Sequence, residues 1–529
     1  MPTRNIYFAL IVVFVSLFIA SKTSLKNQIL SQVSRQLEKN SLERPTREQL
    51  FQGALKGMAT AVGDEPYTDY IPPSEGKEYM REIQGQFAGV GLGHFLKEES
   101  TGGFYFVPLH DSPAIKAGLK FGDLIVSVDD REVANLSIVE LTGLLRGKEK
   151  TDVRIKILDR DSNPRFLNPE ANSINDASPE ELKEIVVTRD LVQQDPISGD
   201  RLDSSNNWIF TLKDRPDIGY IRIESFIDAT GTKTQEALEQ LEREGVSKVV
   251  LDFRGNPGGF LPDASAICNE LLSNGSPIVE TRNRNGVKRR ITAKKYPRRR
   301  FRVAVLIDSD SASASEIVAA ALQDAGVGTV VGTRSYGKGT IQEIFELPCN
   351  SGVLRMTTAS FWRPSGASIH RHKDSTPEDD WGVKPNDGYE VSVTPAQQYY
   401  LEWVRKVRST KPDASELNAR TFAFMTRQTE GLLRQLREGQ GLTRLEAAFE
   451  LGIDPSEIGS VRQQSETEAE NDASSTSTSF KPLGLSPYFD PQLDRAVEYL
   501  SSLENGDGQN LSSPEDKLEI DDGGNRDIL

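Results

Sequence analysis

The sequence predicts an α+β multidomain chain, with an α/β core, a β-rich domain placed ahead of it, and helical N- and C-terminal parts. Three observations lead there. Apolar runs at residues 218–223, 248–252 and 302–307 alternate with helical spacing at 234–244 and 262–272, the strand–helix–strand order of a parallel sheet. Between Phe87 and Asp159 the apolar segments shorten and glycine turns multiply. Apolar residues at helical spacing lie on both sides of these regions. A chain of 529 residues is long enough for two or three domains.

Residues 1–26 carry an apolar run from Ile6 to Ala20 after Arg4 and before Lys22 and Lys26. This is the pattern of a signal peptide or an N-terminal membrane anchor, and no Ala-x-Ala site follows it. Either form places the rest of the chain outside the cytoplasm, in a periplasmic or membrane-anchored setting. Residues 27–85 form a helical N-terminal region on Ile29, Val33, Leu37, Leu50, Leu55, Met58 and Val62. Residues 86–160 hold the β-rich domain, in which Gly89-Val90-Gly91-Leu92-Gly93 reads by itself as a glycine turn. The core is expected over 161–395, interrupted by a surface insertion at 168–181. Arg282 to Arg300 is densely basic, and Asn285-Gly286 marks it as a solvated hairpin. Residues 396–485 read as a helical insertion with a disordered Ser/Thr/Glu linker, 486–503 as a C-terminal helix and 504–529 as a disordered acidic tail. The formal charge of −15 argues against nucleic acid as a main partner. Cys268 and Cys349 are the only cysteines, so each is expected as a small buried apolar residue and not as half of a bridge.

The chemistry concentrates between Phe301 and Gln342. A buried strand, 302–307, is followed by Ser309-Asp310-Ser311-Ala312-Ser313-Ala314-Ser315-Glu316 and then by the apolar helical run 317–322. A serine on such a turn stands beside the unpaired amides of a helix N-terminus, which can hold the charge developing on an attacked carbonyl oxygen. None of the chain's four histidines lies near this run in sequence. Lys338, between Gly337 and Gly339, can serve as base if burial lowers its pKa from about 10.4 towards 7 or 8. Blander readings exist. Ser313 and Glu316 also fit a capping box. Gly332 to Lys338 spells most of a phosphate-binding loop, but Gly339 stands where Ser or Thr must hold magnesium, and the alternating run from Thr340 follows where a helix is needed. His370 and His372 share one side of a strand, a metal pair without a third ligand, and are read as polar loop residues.

Three stretches, Leu251-Asp252-Phe253-Arg254-Gly255-Asn256-Pro257-Gly258-Gly259, Ser311-Ala312-Ser313-Ala314-Ser315-Glu316-Ile317 and Tyr336-Gly337-Lys338-Gly339-Thr340-Ile341-Gln342, together resemble the C-terminal processing peptidases, or tail-specific proteases. The resemblance runs with interruptions over roughly residues 30 to 400. It implies an α/β serine protease core with an inserted PDZ domain, and a serine endopeptidase working without metal or cofactor. In that reading Ser313 is the nucleophile, Lys338 the general base, and Gln342 orients the lysine amine. The Ala314 amide forms half of an oxyanion hole, with Gly258 or Gly259 as the other half. Ser112-Pro113-Ala114, Ala117-Gly118-Leu119 and Gly122-Asp123 are similar to protease-associated PDZ domains. There Gly89, Val90, Gly91 and Leu92 would present amides to a peptide's C-terminal carboxylate, with Ile138 to Leu145 as the helix beside the peptide groove. Implied partners are polypeptide C-termini and, by the N-terminal segment, a membrane; the resemblance leaves room for an activating adaptor protein. Asn386 after Pro385 departs from the family's usual Asp and touches local contacts only. The competing reading is a catalytically silent PDZ scaffold of the same fold.

Overall fold

A computed structural model describes residues 25–64, 66–97, 102–160, 182–286, 288–294, 299–393, 401, 405 and 490–503. Most of the N-terminal apolar segment, the 168–181 insertion, nearly all of 396–485 and the acidic tail lie outside the described residues. The chain divides into two compact units, one of Met1–Arg81 with Thr340–Ser360, the other of Glu82–Gly339 with Phe361–Leu529.

The first unit begins with helices Leu25–Asn40 and Arg47–Thr60. The second of these opens on a closed capping box, with the Thr46 amide donating to Gln49 Oε1 at 2.8 Å and the Gln49 amide to Thr46 Oγ1 at 3.2 Å. A strand at Asp69–Ile71 pairs antiparallel with Val353–Trp362, which also pairs antiparallel with Thr340–Glu346. This hairpin, inside the 161–395 range expected for the core, groups by contact with the N-terminal helices. The cause is a long-range pairing, Ile71 with Val353 and Asp69 with Arg355, reinforced by the Tyr70 hydroxyl donating to the Ser351 carbonyl at 2.7 Å. Cys349, at the tip of this hairpin, is exposed in a turn with φ 58°, so the expectation of burial fails for it and holds for Cys268.

In the second unit, the β-rich domain is a sheet of Leu92–Lys97, Phe104–Pro108, Leu124–Val128, Asp152–Leu158 and Leu182–Thr188 in that order, with Arg131–Glu132 paired to Leu124–Val128. Its core joins Phe104, Phe106, Ile125, Val153 and Ile155 to Leu141 and Leu145 of the helix Ile138–Leu145. A separate ribbon pairs Gln86–Gly89 with Asp190–Gln193.

The core of the same unit is a five-stranded sheet of β1 (Ile197–Ser198), β2 (Ile218–Ile223), β3 (Lys248–Asp252), β4 (Arg302–Ile307) and β5 (Gly328–Gly332). Strands β2 to β5 run parallel, and β1 is antiparallel at the edge. β2 and β3 are buried throughout, the near-continuous apolar pattern of parallel strands covered on both faces. Helices α1 (Thr230–Arg243), α2 (Leu261–Leu271) and α3 (Ala314–Asp324) follow β2, β3 and β4. The helix α4 (Pro491–Ser502) buries Ala496 and Leu500 against Ile218, Tyr220, Val250, Ala304 and Leu306.

Charge pins α4 as well as apolar packing. The fully buried Arg254 donates to Asp252 Oδ1 at 2.9 Å and Oδ2 at 2.7 Å, and to Asp490 Oδ1 at 2.7 Å and Oδ2 at 2.9 Å. Two planar forks on one guanidinium suit arginine and no other residue. Burial alone would raise the Asp252 and Asp490 carboxyls, but Arg254 outweighs it and holds both below the usual carboxylate range. The Tyr220 hydroxyl donates to Asp252 at 2.7 Å, and burial with that neighbouring charge pushes its pKa up.

Candidate active site

In an open parallel sheet, the loops leaving the C-terminal strand ends converge at one edge. Here Asp252 of β3 lies opposite Leu306 of β4, so the loop 253–260 and the loop 308–313 leave side by side. Asp308 accepts from the Gly255 amide at 2.9 Å and from the Ser311 amide at 3.1 Å. The Ser311 hydroxyl returns to the Phe253 carbonyl at 2.9 Å. Asn256 completes the splice: its carbonyl takes the Ala312 amide at 3.0 Å and the Ser315 hydroxyl at 3.0 Å, while its side-chain amide holds the Ile223 carbonyl at 2.8 Å.

Ser313 sits between these loops and α3 with φ 56° and ψ −113°, a conformation that L-residues avoid. The sharp reversal sends the chain from β4 straight into α3, whose residues Ala314 to Leu322 are buried. The capping box is present in outline. Glu316 Oε2 takes the Ser313 amide at 2.7 Å, but the hydroxyl half lacks the alignment of a cap hydrogen bond. The side chain of Ser313 is half-buried.

The glycine pair divides its work. A Cβ on Gly258 would stand 2.7 Å from Ser313 Cβ and from the Ala312 carbonyl oxygen, and 2.9 Å from the Ala314 nitrogen. With φ 96°, only glycine fits so close to the serine turn. Its amide is taken, donating to Asn256 Oδ1 at 2.8 Å. Gly258 is therefore corrected from candidate amide donor to spacer. Gly259 is exposed, and among the described residues its amide and that of Ala314 meet no protein acceptor.

Lys338 reaches the same place by its backbone. Glu316 Oε2, which holds the Ser313 amide, also takes the Lys338 amide at 2.9 Å, so one oxygen ties the serine turn to the lysine segment. Glu316 Oε1 takes the Gly337 amide and the Ser335 hydroxyl, each at 2.6 Å. The Lys338 side chain is half-buried. Gln342 belongs to the first unit, where its side-chain amide donates to Thr340 Oγ1 at 3.0 Å and Thr357 Oγ1 at 3.1 Å. Sequence reasoning saw Glu316 only as a cap, and nothing local signals its partners at 335–338. His370 and His372 meet edge to face at 4.8 Å, and among the described residues no three His, Cys, Asp or Glu side chains are placed to hold a metal ion.

In the β-rich domain, Val90, Gly91 and Leu92 line a groove of about 270 Å³ with Phe87, Thr142 and Leu145. Gly91, at φ 76°, lies where a Cβ would come within 2.3 Å of Ser112 Cβ. Gly89 stands outside the groove, paired with Asp190 in the two-stranded ribbon.

Peptidase family S41 matches residues 217–386, and the PDZ domain family matches residues 108–159. A carboxyl-terminal-processing protease of Picosynechococcus is 31% identical over 332 residues, covering 62% of this chain and 73% of that one. Its Synechocystis counterpart is 32% identical over 339 residues, covering 63% and 72%. The carboxy-terminal processing protease CtpA of Bacillus subtilis is 29% identical over 367 residues, 69% of each chain. Among solved structures, a photosystem II D1 C-terminal processing protease aligns over 74% of this chain and 99% of its own, with 24% identity and a TM-score of 0.41. The chain is a serine peptidase with a PDZ domain. It belongs to the carboxyl-terminal-processing proteases of peptidase family S41.

Proposed function

We propose that this processing protease is an exported endopeptidase that captures polypeptide C-termini in its PDZ groove and cuts them with a Ser313/Lys338 dyad. The observation that carries the reading is the Ser313 turn, where a strained serine stands against Gly258, with the Ala314 and Gly259 amides unengaged nearby. Neutral Lys338 takes the hydroxyl proton as Ser313 attacks the carbonyl, and the two amides hold the oxyanion. The leaving amine takes the proton back, and water then hydrolyses the acyl-enzyme. Gln342 is assigned to orienting the lysine amine on the family resemblance alone. Export rests on the apolar run from Ile6 to Ala20.

The test is hydrolysis of an unstructured polypeptide by the purified chain, with its C-terminus free or amidated. Cleavage is expected with the free carboxylate, about 10-fold weaker with the amide, and lost in Lys338→Ala by at least about 1000-fold. Equal cleavage of both substrates would remove the C-terminal capture. Unimpaired cleavage by Lys338→Ala would remove the dyad.

A further inference from the structure

We propose that Arg371 forms a substrate subsite beside the catalytic lysine, a fixed guanidinium that takes the carboxylate of an acidic residue close to the scissile bond. The inference rests on the Ser313/Lys338 reading and adds to it a preference for one class of substrate. Both glycines that flank Lys338 are pressed by the segment carrying Arg371. The Arg371 amide donates to the Gly337 carbonyl at 2.8 Å. A Cβ on Gly337 would stand 2.7 Å from Arg371 Cβ, and one on Gly339 would stand 2.5 Å from the His370 nitrogen. No side chain fits at either position, so the backbone of residues 370 and 371 lies against the lysine segment on both sides of Lys338.

The two side chains differ in surroundings. His370 is half-buried and stacks on His372, whereas Arg371 is exposed, with its guanidinium 4.6 Å from the centre of the Trp381 ring. That ring is a fixed platform. Its Nε1 donates to the Thr376 carbonyl at 3.0 Å, and a Cβ on Gly337 would come within 2.9 Å of its Cε3. Arg334 stacks on the same ring, 3.6 Å from its centre, and commits its donors to the loop that carries the tryptophan. Its Nε donates to the Trp381 carbonyl at 2.9 Å, Nη1 to the Pro377 carbonyl at 2.7 Å, and Nη2 to the Asp379 carbonyl.

Arg334 is thus a structural tie, and Arg371 is not. Among the described residues the Arg371 guanidinium meets no carboxylate or carbonyl, only the indole face. A guanidinium stacked by its face keeps its N–H edge open, and that edge matches a carboxylate with two parallel hydrogen bonds. Acids of the same loop are engaged elsewhere: Asp379 Oδ2 takes the Thr376 amide at 2.7 Å, and Asp380 lies 4.0 Å from Lys384 Nζ. Stacking on Trp381 also removes much of the side-chain freedom that an exposed arginine would otherwise lose on binding. In a chain of net charge −15, Arg371 is a pinned, unpaired cation hydrogen-bonded to the residue before the general base. That is where a charge on the substrate is read.

The experiment uses the full chain and unstructured peptides that differ only by Glu or Gln at one position, scanned across the residues on either side of the cleaved bond. The kcat/KM ratio of each pair is taken within one enzyme preparation, so a general loss of active protein cancels. Wild type is expected to favour Glu about 3- to 10-fold at one position, and the ratio should shrink as salt is raised from about 0.05 to 0.5 M. Arg371→Gln should bring the ratio to about 1, and Arg371→Glu should turn it below 1. Arg371→Lys, charged but without the fork, should fall between wild type and Arg371→Gln. A wild-type ratio near 1 at every position would overturn the subsite. If Arg371→Gln then also erased a preference for a free over an amidated C-terminus, the guanidinium would be serving the chain end instead. A Glu preference that survives in Arg371→Gln, or that salt does not weaken, would overturn it too. Should the glutamine variant fail to fold, the salt series on wild type and the ratio in Arg371→Lys decide. A folded wild-type chain that cleaves none of the peptides would instead overturn the dyad reading beneath the proposal.

Discussion

Ser313→Gly is expected to be folded, inactive, and more resistant to unfolding than Ser313→Ala. The serine holds φ 56° and ψ −113°, a strained conformation that costs an L-residue about 1 to 3 kcal/mol. Glycine adopts it freely, but gains unfolded-state freedom that returns about 0.5 to 1 kcal/mol. The glycine variant should therefore exceed the alanine variant by about 1 kcal/mol in denaturant unfolding. Both should lose at least about 1000-fold in hydrolysis, since the hydroxyl is the nucleophile in this account. A residue kept at such a cost is kept for where it puts its side chain. Equal stability of the two variants would mean that the turn is not strained. Residual hydrolysis near wild type would place the nucleophile elsewhere.

Arg254→Ala is expected to cost about 3 to 5 kcal/mol, measured by urea unfolding at pH 7, because it leaves two buried carboxylates without their shared counter-ion. Asp252 would then keep the backbone amide of residue 254 at 3.0 Å, the Tyr220 hydroxyl, Arg222 at 3.5 Å and Arg405 at 3.9 Å, and Asp490 would keep the Leu493 amide and Arg405 at 4.0 Å. The sign of the pH dependence follows. In the intact protein both carboxyls lie below their unfolded pKa, so their contribution is fully present above about pH 4 and is lost as the pH falls through the folded values. In the variant, burial without Arg254 raises the same carboxyls, and protonation relieves the unpaired charge. The gap between variant and wild type should thus narrow from pH 7 to pH 5. A gap that widened on acidification would show that Arg254 does not govern these two groups. α4 should loosen first, since Asp490 caps it, accepting from the Leu493 amide at 3.1 Å.

The parts of this molecule legible in the sequence were those written locally. The apolar runs of β2, β3 and β4 and the small-residue turn at 309–316 carry their own signals, so the parallel core and the serine at a strand-to-helix bend followed directly. The helix Ile138–Leu145 came instead from the PDZ resemblance, and its capping box of Ser137 and Glu140 is a local signal that went unread. Long-range pairings were not legible. Nothing near Thr340 says that its hairpin will pair with Asp69–Ile71, because that register is set between segments far apart in the chain. Arg254 reads as the end of a strand, and its partner Asp490 lies 236 residues on. The choice between Gly258 and Gly259 depended on Asn256 turning its side chain back on its own loop to take one amide and leave the next exposed. Glu316 was the sharpest case. A cap and a clamp share one sequence pattern, and only the arrival of Ser335 to Lys338 tells them apart.

The most direct test of the central claim is covalent labelling of the full chain with a fluorophosphonate, read by mass spectrometry as the site and rate of modification. The account predicts a single adduct on Ser313, forming more slowly as the medium is acidified and at least about 100-fold more slowly in Lys338→Ala. Labelling at another serine, or at the same rate with and without the lysine, would contradict it.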